Sequence, residues 1–187
     1  MRDVFRLERG TLIPRDSYLL SYQHILSYFT NIREISASDL VRGAHMAYGW
    51  MPTQLDLISR IPGVNFDEGG RLLTAAKARM LTDAEIADLK SLVNNSVIGV
   101  SKLLHFVAPN RYAIWDSKVY SFVYEQPPNP GLANNIDRYC TYLCVLEYLR
   151  EDRRFEGFHM SVQRKVGYEI SDLRAIELVM FRNPWPG

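Results

Sequence analysis

The feature that most constrains the fold is a spacing of apolar side chains at three and four residues, which recurs along the chain. In the first such stripe, Tyr18, Tyr22, Ile25 and Phe29 fall on one face of a helix. Five segments show this spacing: 18–29, 40–51, 86–93, 136–146 and 173–180. No segment alternates strongly between apolar and polar residues, as a half-buried strand would. The sequence therefore predicts an all-α fold of six to eight helices.

Local signals mark where several of these helices begin and end. Thr82 and Glu85 have the spacing of a capping box, in which each side chain satisfies a free backbone N–H group of the first turn. Ser171 or Asp172 is expected to cap the last helix. Pro52 is expected to end the helix that contains 40–51, because proline disfavours helical backbone in the residue before it.

Other segments predict interruptions of the helical pattern. Glycine-rich and proline-rich turns are expected at 61–63 and 67–70, and a proline-rich loop at 126–131. Two short segments, 111–115 and 159–166, are the only candidates for strands. With no internal repeat and no low-complexity segment, the 187 residues are expected to form a single helical domain, 1–187.

Composition excludes several classes of protein. The chain has two cysteines, too few for a disulfide framework or a cysteine-ligated metal cluster, so we expect no metal and no cofactor. It has no apolar run long enough to span a membrane. Met1–Arg9 is charged and does not resemble a signal peptide, which favours a cytoplasmic protein. A net charge of +1 argues against polyanion binding driven by overall charge.

The most informative segment runs from Asn94 to Val119. We expect a helix to end near Asn94, a tight turn to form on Gly99, and a second helix to open at Val100 or Ser101. The first N–H groups of that helix would be free and could bind a phosphate. The second helix is expected to end before Pro109. Asp116 is then placed to cap a third helix over 117–124.

This segment resembles the helix-hairpin-helix superfamily of DNA glycosylases, in particular the branch with the 8-oxoguanine DNA glycosylase fold. The resemblance is carried by Gly99-Val100-Ser101-Lys102 and by Ala113-Ile114-Trp115-Asp116-Ser117-Lys118-Val119. It implies that Lys102 and Asp116 are catalytic and that Gly99, Val100, Ser101 and Lys118 contact DNA. Ser101 stands where the superfamily has a second hairpin glycine.

The chemistry of base excision suits these two side chains. A carboxylate such as Asp116 can stabilise the cation-like sugar that forms when the glycosidic bond breaks. A lysine such as Lys102 can attack the sugar carbon if its pKa is lowered, and the resulting Schiff base permits strand cleavage. Taken alone, however, Asp116 is equally well explained as a helix cap, and Lys102 as a surface lysine. Lys118 is a competing nucleophile or a phosphate contact.

Aromatic residues make up 12% of the chain, which indicates a core of large side chains and leaves some rings for a pocket. A base that leaves the DNA stack needs flat apolar surfaces around it. Trp50, Phe106 and Trp115 are candidate rings of a base pocket and His105 is a candidate polar contact. The alternative for each is a place in the core.

We therefore expect a DNA base-excision glycosylase, with or without lyase activity, that acts on double-stranded DNA carrying a damaged purine such as 8-oxoguanine. Between Val100 and Tyr124 there are three basic residues and one acidic residue, which agrees with local contact to phosphates. Two alternatives stay open. One is a non-catalytic helix-hairpin-helix module that binds nucleic acid, and the other is a helical interaction protein that uses its aromatic residues for partner contacts.

Overall fold

The computed structural model describes residues 1–50 and 54–186, and helices account for 63% of them. This confirms the all-α prediction. In these residues there is no β-strand, only an isolated bridge between Leu57 and Val93. The eleven helices in this part of the chain are α1 (Val4–Glu8), α2 (Ser17–Thr30), α3 (Ala37–Gly49), α4 (Phe66–Ala78), α5 (Asp83–Leu92), α6 (Val97–Val107), α7 (Ser117–Tyr124), α8 (Pro130–Ala133), α9 (Ile136–Arg150), α10 (Phe155–Val166) and α11 (Asp172–Arg182).

Two helices lie almost wholly inside the molecule. Every residue of α6 from Gly99 to Val107 is buried, and α2, α3, α4 and α5 surround this helix. Every residue of α11 from Leu173 to Met180 is also buried, and this helix packs against α1, α7, α9 and α10. Helices that are enclosed on all sides are normally apolar throughout. The charged side chains on α6 and α11 are therefore the exceptions that need a physical explanation.

The five predicted stripes form α2, α3, α5, α9 and α11. The predicted capping box is present, since Thr82 accepts a hydrogen bond from the N–H of Glu85 while the Glu85 carboxylate accepts one from the N–H of Thr82. Ser171 caps α11, which settles the choice between it and Asp172. Pro52 lies outside the described residues. The expected number of helices was too low, because α1, α4, α8 and α10 were not predicted.

The turn predicted at 67–70 is wrong, because these residues form the first turns of α4. Its two glycines are explained by packing between helices. A Cβ atom on Gly69 would lie 2.4 Å from Leu40 Cδ1, and one on Gly70 would lie 2.5 Å from the carbonyl oxygen of Ile35. The missing side chains let α4 approach α3 closely, and this contact outweighs the modest helix penalty of glycine.

Neither strand candidate forms a strand. Residues 159–166 belong to α10, whose Phe158, Val162 and Val166 repeat at four residues and face the core. Arg111 lies in a turn, and residues 112–115 form a non-helical stretch, the extended segment, that pairs with no strand in the described residues. In the predicted proline-rich loop, 126–129 are outside helices, whereas Pro130 opens the short helix α8, where proline is tolerated. None of the described helices is long and apolar enough to span a bilayer.

Candidate active site

The connection between α5 and α6 differs from the predicted hairpin. Asn94 and Asn95 make the turn, with φ angles of 54° and 51°, and Ser96 caps α6. Asparagine adopts this left-handed conformation more readily than most residues. The prediction of a turn on Gly99 and of a helix opening at Val100 or Ser101 is therefore wrong.

Gly99 lies inside the first turn of α6 and makes room for a neighbouring helix. A Cβ atom at this position would lie 2.1 Å from the hydroxyl oxygen of Tyr48 on α3. The start of α6 also makes its hydrogen bonds within the chain: the Gly99 N–H donates to Ser96 Oγ at 3.1 Å and the Val97 N–H to Asn134 Oδ1 at 2.7 Å. The N–H groups of Gly99, Val100 and Ser101 are therefore not free to bind a phosphate.

Ser101 and His105 on α6 hold the extended segment that leads to Asp116. Ser101 Oγ accepts a hydrogen bond from the N–H of Trp115 at 3.1 Å and lies 3.1 Å from the carbonyl oxygen of the same residue. His105 Nδ1 lies 2.7 Å from the carbonyl oxygen of Tyr112, so this nitrogen carries the proton and donates. Nε2 of the same ring is then the acceptor for the Tyr22 hydroxyl at 2.8 Å.

Helix α9 supplies the remaining partners of this segment. Tyr139 donates to the carbonyl oxygen of Ala113 and Tyr142 to that of Ile114, each at 3.2 Å. Buried backbone groups need partners, and here side chains from two helices replace the neighbouring strand that a sheet would provide. The segment is therefore fixed along its length, and the residue that follows it, Asp116, has a defined position.

Asp116 is buried and caps α7, as predicted. Its Oδ1 atom accepts hydrogen bonds from the N–H groups of Lys118 and Val119, both at 2.9 Å. Its other oxygen, Oδ2, makes no hydrogen bond with a described residue. Asp116 can therefore act as a helix cap and still present one carboxylate oxygen to a ligand.

A cleft of about 380 Å³ lies between α6, the start of α7 and α11. It has both charged and aromatic side chains in its wall. The residues that line it are Tyr18, Trp50, Ile98, Lys102, Ile114, Asp116, Ser117, Lys118, Arg174, Glu177, Leu178, Phe181 and Arg182. A volume of this size suits a small molecule or one nucleotide base.

Lys102 projects from the buried helix α6 into this cleft and is only 8% exposed. Its amine makes no hydrogen bond and no ion pair with any described residue. Burial lowers the pKa of this amine, because a charged ammonium is poorly solvated there. The negative charges of Asp116 and Glu177 oppose that effect, while Arg174 adds to it. A larger fraction of Lys102 is therefore neutral, and hence nucleophilic, than of a surface lysine.

Arg174 and Glu177 form a second charged pair in the cleft, which the sequence analysis missed. The two side chains are 4% and 1% exposed and form a salt bridge within α11. The Arg174 guanidinium also lies over the rings of Tyr22 and Trp50, at 4.9 and 5.5 Å from their centroids. Burial raises the pKa of Glu177 to about 7 in spite of the neighbouring arginine, and the charge of Asp116 adds to the increase.

The other side of the cleft is aromatic and cationic. Trp50 is half-buried, and its indole N–H donates to the carbonyl oxygen of Tyr18 at 3.0 Å. Lys118 Nζ lies 4.4 Å from the centroid of the Phe181 ring. Arg182 pairs with Asp16 at 2.5 Å. The cleft therefore offers flat apolar surfaces next to positive charge, which suits an aromatic ligand that carries a phosphate.

The structure brings only some of the predicted site residues together. Four of them line the cleft: Trp50, Lys102, Asp116 and Lys118. Six others are buried around α6 and the extended segment and do not line it: Gly99, Val100, Ser101, His105, Phe106 and Trp115. Trp115 is completely buried, and its indole N–H donates to the carbonyl oxygen of Ala133 at 2.8 Å. Burial lowers the pKa of His105 to about 3, so this ring is neutral at physiological pH.

Within the described residues no three histidine, cysteine, aspartate or glutamate side chains converge as a metal site would require. Comparisons of the chain with protein-family models, with curated proteins and with solved structures find no match. The fold is thus established as all-helical without assignment to a family. The resemblance to DNA glycosylases stays a prediction.

Proposed function

We propose that this protein is a DNA base-excision glycosylase with lyase activity, acting on a damaged purine such as 8-oxoguanine. The observation that carries the proposal is that Lys102, on α6, and Asp116, which caps α7, line one cleft. Lys102 is buried there, and among residues 1–50 and 54–186 its amine has no hydrogen-bond or ion-pair partner and Asp116 keeps one carboxylate oxygen without one. This is the pair of groups that nucleophilic cleavage of a glycosidic bond requires.

In this reaction the neutral amine of Lys102 attacks the sugar carbon, and the damaged base leaves with the electrons of the glycosidic bond. The free oxygen of Asp116 stabilises the positive charge that develops on the sugar. Trp50, Tyr18 and Phe181 provide flat surfaces for the extruded base. Lys118 and Arg182 supply positive charge for the flanking phosphate.

Trapping of the covalent intermediate tests this proposal directly. Labelled duplexes with and without 8-oxoguanine are incubated with the protein and sodium borohydride, and cross-linked product is resolved on a denaturing gel. We expect a cross-link to the damaged duplex that Lys102→Ala abolishes. Lys90→Ala serves as the matched control, because Lys90 is a half-buried lysine on α5 outside the cleft. A folded protein that shows no cross-link and no strand cleavage on a panel of lesions would contradict the proposal.

Lys118 is the other lysine of the cleft, and its variant identifies the nucleophile. Its amine lies over the Phe181 ring and its side chain is exposed, so it is less desolvated than Lys102. We expect Lys118→Ala to weaken DNA binding while the cross-link still forms at saturating DNA. Loss of the cross-link in Lys118→Ala but not in Lys102→Ala would assign the nucleophile to Lys118 instead.

Non-catalytic binding of nucleic acid is the second candidate function, and the charge of the cleft favours it. Lys102, Lys118, Arg174 and Arg182 outnumber the acidic residues Asp116 and Glu177 there. Positive charge attracts phosphate whether or not a reaction follows. This function predicts salt-dependent DNA binding that survives Lys102→Ala and is accompanied by no cleavage. Gel-shift experiments at two salt concentrations provide the measurement.

A further inference from the structure

Glu177 is a buried carboxylate, and neither helix capping nor packing of the apolar core explains why a charged group is buried at this position. It lies in the middle of α11, between Ile176 and Leu178 in the chain, and its side chain is 1% exposed. One carboxylate oxygen, Oε2, is bound by Arg174, whereas Oε1 makes no hydrogen bond with a described residue. Burying a charged group in this way is costly. A retained buried carboxylate in the wall of the cleft therefore points to a chemical use.

The groups around Glu177 come from several parts of the fold and define its electrostatic setting. On α11 its neighbour is Arg174. The other titratable groups that face the pair come from α6, the cap of α7, α9, α2 and the segment between α10 and α11: Lys102, His105, Asp116, Tyr142, Tyr22 and Tyr168. Among these, Lys102 carries an ionisable proton that must be lost before or during its reaction. Asp116 already accepts two backbone hydrogen bonds through one oxygen.

We propose that Glu177 is the proton acceptor for the Lys102 amine and that Arg174, through its salt bridge, holds the Glu177 carboxylate in position in the wall of the cleft. The inference rests on the proposed role of Lys102 as nucleophile and adds the group that removes its proton. Lys102 and Glu177 line the same cleft and are not in direct ion contact. The cleft of about 380 Å³ that both side chains line has room for water, so a proton can pass through a bridging molecule.

The step balances with an aldehyde carbon as the electrophile. The neutral amine forms an N–C bond while the C=O π bond breaks. The excess proton on nitrogen moves to Glu177, and the alkoxide oxygen takes a proton from solvent to give the carbinolamine. Glu177 then returns a proton to the carbinolamine oxygen, which leaves as water with the C–O electron pair and gives the iminium ion. The carboxylate is regenerated. Its pKa of about 7 suits a group that accepts and returns a proton near neutral pH.

A small aldehyde tests this inference without DNA. The full-length protein is mixed with propionaldehyde, quenched with sodium borohydride after timed intervals, and the alkylated fraction of Lys102 and Lys90 is measured by peptide mass spectrometry between pH 5.5 and 9. In the wild type we expect Lys102 to react at least about 10-fold faster than Lys90 at pH 7, with an acid limb in its pH profile. The variant Glu177→Gln should slow Lys102 by at least about 10-fold at pH 7, and the acid limb that remains should be the one produced by protonation of the amine itself.

The direction of the change separates proton transfer from a purely electrostatic role. If Glu177 acted only through its charge, its removal would lower the pKa of Lys102 further and speed the reaction. Asp116→Asn is the matched variant for that effect, since asparagine still caps α7 while the negative charge is lost. We expect Asp116→Asn to react faster than the wild type and Glu177→Gln more slowly. An unchanged or faster reaction in Glu177→Gln overturns the inference.

Two further outcomes keep the test decisive. If Lys102 of the wild type reacts no faster than Lys90, both the inference and the proposed nucleophile fail, whereas a fast reaction without DNA cleavage overturns only the proposed function. Glu177→Gln leaves Arg174 buried without its partner and could unfold the protein. The double variant Arg174→Met/Glu177→Gln removes both charges, and it should also react slowly if Glu177 accepts the proton. A fast reaction in the folded double variant overturns the inference.

Discussion

Lys102 combines two properties that rarely occur together, burial and the absence of any partner among the described residues. A buried ammonium normally has a carboxylate or carbonyl oxygen to bind, because its desolvation is otherwise uncompensated. In this protein the cost persists in the folded state, partly relieved by loss of the proton. Sites that carry out chemistry often retain such a destabilising group.

The first prediction concerns the stability of a Lys102 variant. We expect Lys102→Met to raise the free energy of unfolding by about 1–2 kcal/mol, because it fills the same space without a charge to desolvate. The same variant should lose all borohydride trapping. Urea denaturation at pH 7 measures the change in stability, with Lys90→Met as the control for a lysine outside the cleft. A less stable Lys102→Met protein would show that the amine has a stabilising partner.

Half of the proposed catalytic cluster could be predicted from the sequence, and the other half could not. Lys102 is singled out by the resemblance to DNA glycosylases, and Asp116 by the same resemblance and by a local signal, a helix cap. Arg174 and Glu177 had a usable signal too: they are the two charges within an apolar stretch, 173–180, that leaves no polar face. What no local pattern provides is the convergence of 102, 116 and 177, which depends on where the tertiary fold places α6, the start of α7 and α11.

Glycine and serine on α6 show why element boundaries were harder to predict than helices. The local sequence suggested that Gly99 makes a turn, and the resemblance placed Ser101 where the superfamily has a second hairpin glycine. Both residues instead serve contacts with other parts of the chain, Tyr48 for Gly99 and Trp115 for Ser101. Helix periodicity could be predicted because it depends on neighbours three and four residues away, whereas these contacts join residues distant in sequence.

At the level of single helices, Gly99→Ala should be strongly destabilising. Its Cβ atom would lie 2.1 Å from Tyr48 Oη and 2.8 Å from Cζ of the same buried ring, so the Tyr48 side chain or the two helices would have to shift. We expect a loss of about 1–3 kcal/mol. Gly157→Ala in α10 is the matched control: its Cβ meets nothing within 4 Å, so alanine should be neutral or slightly stabilising. Thermal unfolding of both variants provides the comparison, and equal melting temperatures would contradict the proposed packing.

Ser101→Ala tests the support of the extended segment 112–115. The substitution leaves the N–H of Trp115 buried without an acceptor, which typically costs about 1–3 kcal/mol. Because the segment positions Asp116, we also expect slower trapping of damaged DNA. Ser27→Ala, which removes an exposed hydroxyl bonded to the carbonyl of His24, should change neither property. Full activity in a destabilised Ser101→Ala protein would separate the segment from catalysis.

For the whole molecule, two buried groups give the stability opposite dependences on pH. The pKa of His105 is about 6.5 unfolded and about 3 folded, so the unfolded chain takes up the proton first and stability falls as pH drops below about 6.5. The pKa of Glu177 is about 4.5 unfolded and about 7 folded, so its contribution is complete below 4.5 and is lost as pH rises through 7.

Variants at these two positions should therefore flatten opposite limbs of the stability profile. We expect His105→Gln to reduce the decline between pH 6 and pH 4, where each pH unit costs at most about 1.4 kcal/mol per group. Glu177→Gln should reduce the decline between pH 5 and pH 8. Urea midpoints measured from pH 4 to pH 8 provide the slopes. Parallel profiles for wild type and both variants would show that neither group titrates differently on folding.

The extended segment that leads to Asp116 has a consequence for the order in which the molecule assembles. Its carbonyl groups accept hydrogen bonds from His105 on α6 and from Tyr139 and Tyr142 on α9. The bonds from the two tyrosines join the middle of the chain to a helix that is made later in synthesis. A nascent chain that ends before Ile136 lacks those last two donors, so it cannot complete the surroundings of Asp116. The cleft is therefore a product of cooperative folding, and the Trp115 amide should exchange with deuterium only when the whole molecule opens.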